Sequence, residues 1–210
     1  MSAPIKKSGS RLTVSDQWKR GKILLRNYRV ESVLGAGGMG TVYLVNRLAD
    51  NKQFAVKTMH THLLLKPGQR QSFIRELRIW MSLPLNPSVV TCLFFRTIEG
   101  RLAVFCEYVD GLSIQQKVKN QILGSSTDIV RHAIQMARGI QVAHENDVIH
   151  QDIKPSNFIC SKDGQVKLMD FGLANRFRNE GSSVELDSRN GGQKRWTTGM
   201  TLAFCSPEQA

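Results

Sequence analysis

The sequence predicts an α+β fold in two lobes: a strand-rich N-terminal lobe with one main helix, followed by an incomplete helical C-terminal lobe. Three observations predict it. Apolar and polar residues alternate from Tyr28 to Lys57 around a glycine cluster. The period becomes helical over residues 69–83. A longer helical pattern then follows Thr127-Asp128, a good capping pair.

Taken in order, Tyr28-Arg29-Val30-Glu31-Ser32-Val33 and Thr41-Val42-Tyr43-Leu44-Val45 read as two strands joined by a glycine-rich turn. Gln53–Lys57 reads as a third strand after the turn ending at Asn51. Phe73, Leu77, Trp80 and Met81 share one helical face, and Pro84 and Pro87 stop that helix. Glu76 lies beside this apolar stripe, where a carboxylate wants a buried cation. Leu93–Phe95 and Leu102–Cys106 form a strand pair around Glu99-Gly100. The long helix sets Ile129, Ala133, Met136/Ala137, Ile140 and Ala143/His144 on one side. Two short apolar strands flank Lys162-Asp163-Gly164, and residues 175–200 read as a long polar loop.

Composition excludes several classes. The chain has 210 residues, 41% of them apolar, enough for a sizeable core and inconsistent with wholesale disorder. No apolar run reaches the ~18 residues of a membrane span, and the first residues lack the apolar segment of a secretory signal. Cys92, Cys106, Cys160 and Cys205 form no C-x-x-C pair and read as reduced thiols, so a cytoplasmic location is expected. The net charge is +12, and residues 1–29 carry eight bases against Asp16 alone. A basic arm can attract nucleic acid; without interleaved aromatics or a regular basic helix face it reads better as a solvated leader, and nucleic acid is not the expected partner.

Four motifs carry chemistry. Gly35-Ala36-Gly37-Gly38-Met39-Gly40 is a weak signal alone, and a flexible hairpin tip would explain it. A dinucleotide fold needs a helix directly after the glycines, yet Thr41–Val45 has strand composition. A glycine loop between strands can instead lay its N–H groups over phosphates. Lys57 ends an apolar strand, and it and Glu76 each make sense as the other's partner. His150-Gln151-Asp152-Ile153-Lys154-Pro155-Ser156-Asn157 and Asp170-Phe171-Gly172 each follow a short apolar strand. Two acids and the Asn157 amide make a hard oxygen set suited to Mg²⁺.

Together with Ser206-Pro207-Glu208, this ordered set resembles the signature of eukaryotic-type (Hanks-type) serine/threonine protein kinases. The resemblance runs from about residue 28 to 210, and the wording of Gly35–Tyr43 and Thr201–Gln209 looks like the bacterial branch. It implies a protein-kinase-like fold, with a basic segment at 1–27, an N-lobe at 28–106, and the hinge and incomplete C-lobe at 107–210. It implies ATP and Mg²⁺ (or Mn²⁺) as cofactors and transfer of the γ-phosphoryl group to Ser/Thr hydroxyls of protein substrates. Leu34, Gly35, Gly37, Gly38 and Gly40 would cover the nucleotide, and Val42, Ala55 and Ile159 would sandwich the adenine. Lys57 would hold the α- and β-phosphates and pair with Glu76. Glu107 and Val109 resemble the hinge that meets the adenine edge through backbone groups, with Cys106 at the gatekeeper position. Asp152 would orient the substrate hydroxyl, Lys154 would steady the transferred group, and Asn157 and Asp170 would bind the metal. His150 and Phe171 would serve packing.

The match departs in two ways. Gln151 stands where the family has an arginine that meets an activation-segment phosphate, and glutamine cannot form that charged fork. The family also continues with further helices beyond the Ser-Pro-Glu motif, so the sequence reads as a fragment expected to have little activity as it stands. The competing expectation is a non-catalytic ATP-binding regulatory module.

Overall fold

The computed structural model describes residues 17–37, 40–60, 69–171, 175–176 and 204. Its first part is a six-stranded antiparallel sheet in the order β1-β2-β3-β4-β6-β5. The strands are β1 (Ile23–Leu24), β2 (Tyr28–Gly37), β3 (Gly40–Arg47), β4 (Gln53–Met59), β5 (Cys92–Ile98) and β6 (Arg101–Glu107), with helix α1 (Gln69–Met81) between β4 and β5. The second part holds β7 (Gly111–Ser113), α2 (Ile114–Lys119), α3 (Ser126–Glu145), β8 (Val148–Ile149), β9 (Phe158–Ser161), β10 (Val166–Leu168) and β11 (Asn175–Arg176). A 3-10 turn at Pro155–Asn157 precedes β9.

The period-two pattern divides the sheet into two faces. Tyr43, Val45, Phe54, Val56, Ala103 and Phe105 pack on one side with Trp18, Leu24, Tyr28 and Val30. On the other, Val104 and Cys106 join Leu77 and Trp80 of α1 and Phe158, Leu168 and Phe171 of the second part. The register sets Val42 opposite Lys57, Lys57 opposite Val104 and Ala55 opposite Cys106. These five therefore share the face turned toward the second part.

The folded region begins before the expected boundary at residue 28. Trp18 and Leu24 are buried, β1 pairs with β2, and the Trp18 N–H donates to the Tyr43 hydroxyl. The surrounding lysines and arginines hide this anchor in the composition. The long helix is rotated relative to expectation. His132, Gly139, Val142 and Ala143 are buried, with Met136 and Ile140 against the core, whereas Ile129, Ala133, Ala137 and His144 are exposed. Gly139 explains the choice: a Cβ there would lie 2.8 Å from the Ser88 carbonyl and 3.0 Å from Leu168 Cβ, so the glycine face makes the close approach. The cap is Ser125, whose hydroxyl accepts from the Asp128 N–H while Asp128 caps in return.

Strand β7 and helix α2 have no counterpart among the expected elements. Gly111 permits β7 to lie on β9, since a Cβ there would sit 2.0 Å from the Cys160 carbonyl. Within the expected 175–200 loop, Asn175–Arg176 pair with Val148–Ile149. The rest of that loop, with Gly38, Gly172, Thr201 and Ser206–Glu208, lies outside the described residues.

Candidate active site

A cavity of about 320 Å³ separates the six-stranded sheet from the β7–β9–β10 sheet. Leu34, Gly35, Val42, Ala55 and Lys57 form its roof, Glu107 and Val109 its connecting edge, and Ile159 and Asp170 its floor. These nine expected residues come from six separate stretches of chain. Expectation missed Trp80, Val90, Tyr108, Gly111, Ser113, Gln116 and Met169, which also line it. Trp80 was legible as a core residue of α1; the small Cys106 lets the cavity reach it. The Cys106 thiol is held well above its ordinary range, first by its hydrogen bond to Cys92 and then by burial. It is therefore a neutral wall.

Expectation and structure differ at Lys57. Its ammonium contacts both Asp170 carboxylate oxygens, at 2.7 and 2.6 Å, and Glu76 holds no ion pair with another described residue. The Lys57–Glu76 pair is thus replaced by Lys57–Asp170. Burial pushes Asp170 up, but the Lys57 charge and hydrogen bonds outweigh it and hold the carboxyl below the usual carboxylate range. Glu76 has no such compensation. Burial drives its carboxyl up to about 7, against a small opposing effect from Arg75.

The loop before β9 gathers the other charged groups. Lys154 Nζ lies 2.6 Å from Asp152 Oδ2. The Asn157 amide nitrogen donates to the Asp152 carbonyl at 2.7 Å and to Asp152 Oδ2 at 3.1 Å. This loop is tied to the segment that follows β10 and carries Asp170, because the Met169 N–H donates to the Asn157 carbonyl at 2.8 Å. Buried His150 makes a second tie. Its Nδ1 accepts from the Asp152 N–H at 3.3 Å while Nε2 donates to the Met169 carbonyl at 3.1 Å. That pattern requires the neutral ring, and burial lowers the imidazole pKa in the same sense. Phe171 packs between His150 and Trp80, with centroids 4.7 and 5.7 Å away.

Gln151 and Asp170 have φ of +63° and +65°. Left-handed backbone at non-glycine residues costs about 1–3 kcal/mol each, and both residues lie within the charged cluster. At the sheet end, Gly40 has φ +158°, and a Cβ would lie 1.8 Å from the Thr58 carbonyl. No larger residue fits there. Gly37 and Gly40 pair at the tip of β2 and β3, with the Gly37 carbonyl bonded to the His60 ring at 2.9 Å.

Comparison with known proteins decides the family. The protein kinase domain family matches residues 28–209. The chain belongs to the protein kinase family. Among kinase relatives, it is 31% identical over 188 residues to the serine/threonine-protein kinase PknJ of Mycobacterium tuberculosis, covering 86% of this chain and 29% of that protein. It is 30% identical over 193 residues to the serine/threonine-protein kinase pkn2 of Myxococcus xanthus, covering 90% of this chain and 22% of that protein. It is also 29% identical over 191 residues to CBL-interacting protein kinase 15 of rice, covering 90% and 41% respectively. The kinase chain thus spans less than half the length of each of these relatives. Its fold is similar to the crystal structure of the M. tuberculosis PknI kinase domain, with a TM-score of 0.65 and 23% identity, covering 74% of this chain and 62% of that one. Kinases of this family use ATP and a divalent metal. No described helix is long and apolar enough to cross a membrane.

Proposed function

We propose that this chain supplies the ATP site and transfer machinery of a serine/threonine protein kinase acting on protein substrates in the cytoplasm. One observation carries the reading. Lys57 and Asp170 meet in the cavity, while the loop carrying Asp152, Lys154 and Asn157 is tied beside Asp170 by the Asn157 carbonyl and the His150 ring, both bonded to Met169.

The apolar roof and floor, Val42 and Ala55 against Ile159, suit a flat base, and the hinge supplies main-chain groups at its edge. The glycines allow phosphates to approach the backbone, and Lys57 meets their oxygens. The residues fit a hard divalent cation. The Asn157 amide nitrogen is committed to Asp152, which leaves its oxygen, with the Asp170 carboxylate, to hold Mg²⁺ or Mn²⁺. Such an ion, when bound, neutralises phosphate charge. Asp152 orients the substrate hydroxyl and takes its proton, and Lys154 beside it stabilises the transferred group. The lobes then meet near residues 106–107.

One observation favours the non-catalytic alternative: among the described residues Glu76 holds no ion pair, and Lys57 is paired with Asp170 instead. The test is transfer of labelled γ-phosphate from ATP to serine and threonine peptides, with Asp152→Asn as control. Transfer lost in the variant supports the kinase reading. ATP binding without transfer supports the regulatory module.

A further inference from the structure

Two thiols stand opposite each other in the wall of the cavity, and phosphoryl transfer uses neither. Cys92 and Cys106 are partners across β5 and β6. One residue along, the Glu107 N–H donates to the Thr91 carbonyl at 3.0 Å. Thr91 and Glu107 are therefore the hydrogen-bonded pair, and the two cysteines are the adjacent non-hydrogen-bonded one. In such pairs the Cα atoms lie about 4.5 Å apart and the side chains come closest. A disulfide bridges Cα atoms roughly 4.4–6.8 Å apart. The side chains point at each other, since the Cys106 thiol is hydrogen-bonded to Cys92. Both are free thiols.

The two cysteines are 6% and 7% exposed, yet each borders an open space. Cys106 lines the cavity between the sheets. Cys92 lines a second cavity of about 280 Å³, which shares Trp80 and Val90 with the first. A molecule as small as hydrogen peroxide has room at either. Cys160 is set apart, with its sulfur 3.5 Å from His132 Nε2 at the contact of β9 with α3. We propose that Cys92 and Cys106 are a modification site, a dithiol that peroxide converts to a reversible disulfide in the cavity wall. The site belongs to the wall, whatever fills the cavity.

In the first step the Cys106 sulfur attacks one oxygen of hydrogen peroxide. The O–O bond breaks, a sulfenic acid forms, and the thiol proton leaves with the other oxygen as water. In the second the Cys92 sulfur attacks the Cys106 sulfur. The S–S bond forms, the S–O bond breaks, and the Cys92 proton departs with the hydroxyl as a second water. The sulfurs lose two electrons and the peroxide gains them. Cys106 is a neutral thiol here, which makes the first step slow; the second joins neighbours already in contact. The product closes the β5–β6 hairpin, with its turn at Glu99-Gly100, into one covalent ring. In a reducing compartment such bridges are transient and serve redox sensing.

The experiment incubates the full folded chain with excess hydrogen peroxide, alkylates the remaining thiols and maps the trypsin digest of the single-chain band from a non-reducing gel. Trypsin cuts after Arg96 and Arg101, so the bridge joins two peptides, one holding Cys92 and the other Cys106. Dithiothreitol separates them and returns both thiols. Cys160→Ser combined with Cys205→Ser forms the bridge as the parent does, whereas Cys92→Ser or Cys106→Ser abolishes it. Circular dichroism checks folding, and the parent's digest carries the test if a serine variant does not fold. Recovery of Cys92 and Cys106 as separate alkylated peptides would overturn the proposal. So would Cys106 carried on to sulfinic acid with Cys92 untouched, or either cysteine bridged to Cys160 or Cys205.

Discussion

Replacing Glu76 by glutamine isolates the consequence of burying a carboxyl that holds no ion pair with another described residue. The carboxyl ordinarily titrates at 4.5 and is raised to about 7 by burial. The folded state then holds a proton that the unfolded state releases between pH 4.5 and 7, so stability is greatest below 4.5 and is lost as pH rises through 7. The full shift corresponds to about 3 kcal/mol. Glu76 is only partly buried, and solvent screening brings that to about 1 kcal/mol. Glu76→Gln keeps the shape and removes the titration. Urea denaturation of nucleotide-free protein from pH 5 to 8.5 should show the parent losing stability toward pH 8 while the variant stays flatter and ends about 1 kcal/mol more stable. Parallel pH profiles would refute the reasoning, because they would mean that Glu76 is solvated or already paired.

Other expectations follow from the packing and the loop chemistry. Phe171 is 1% exposed between His150 and Trp80, so Phe171→Ala should cost about 3–5 kcal/mol by denaturation; a loss below about 1 kcal/mol would contradict the packing. Gly111→Ala drives a Cβ to 2.0 Å from the Cys160 carbonyl. It should open the β7–β9 pairing and weaken ATP binding severalfold in a direct titration, whereas unchanged affinity would refute the need for glycine. Because Gln151 replaces the phosphate-meeting arginine, alanine at Ser182, Ser183, Thr197 and Thr198 should leave the transfer activity of a complete kinase within about twofold; loss of transfer would sink phosphate independence.

Much of the site was legible because its motifs are local. The glycine loop, Lys57, Asp152–Asn157 and Asp170 each declare themselves within a few residues, and strand alternation put Val42, Ala55 and Lys57 on one face. What was not legible depends on contacts distant in sequence. Glu76 and Asp170 are both carboxylates, and which one Lys57 meets depends on how α1 sits against the sheet. Lys167 and Glu107 come together only when β10 folds beneath the hinge. Trp18 anchors the sheet from inside a basic stretch whose charge dominated its reading. The inward face of α3 was decided by Gly139, which carries no hydrophobic signal, because that face alone lets the helix reach β10.

The central claim is that the cavity between the sheets binds ATP through Lys57 and Asp170. Titration calorimetry of the 210-residue chain with ATP, with and without Mg²⁺, tests it most directly. The parent should bind in the micromolar-to-millimolar range, roughly 1 μM to 1 mM, typical of enzyme substrates. Mg²⁺ should tighten binding, Lys57→Met should weaken it at least about tenfold, and Asp170→Asn should abolish the Mg²⁺ dependence. Absence of binding, or binding indifferent to Mg²⁺ and to both substitutions, would contradict the account.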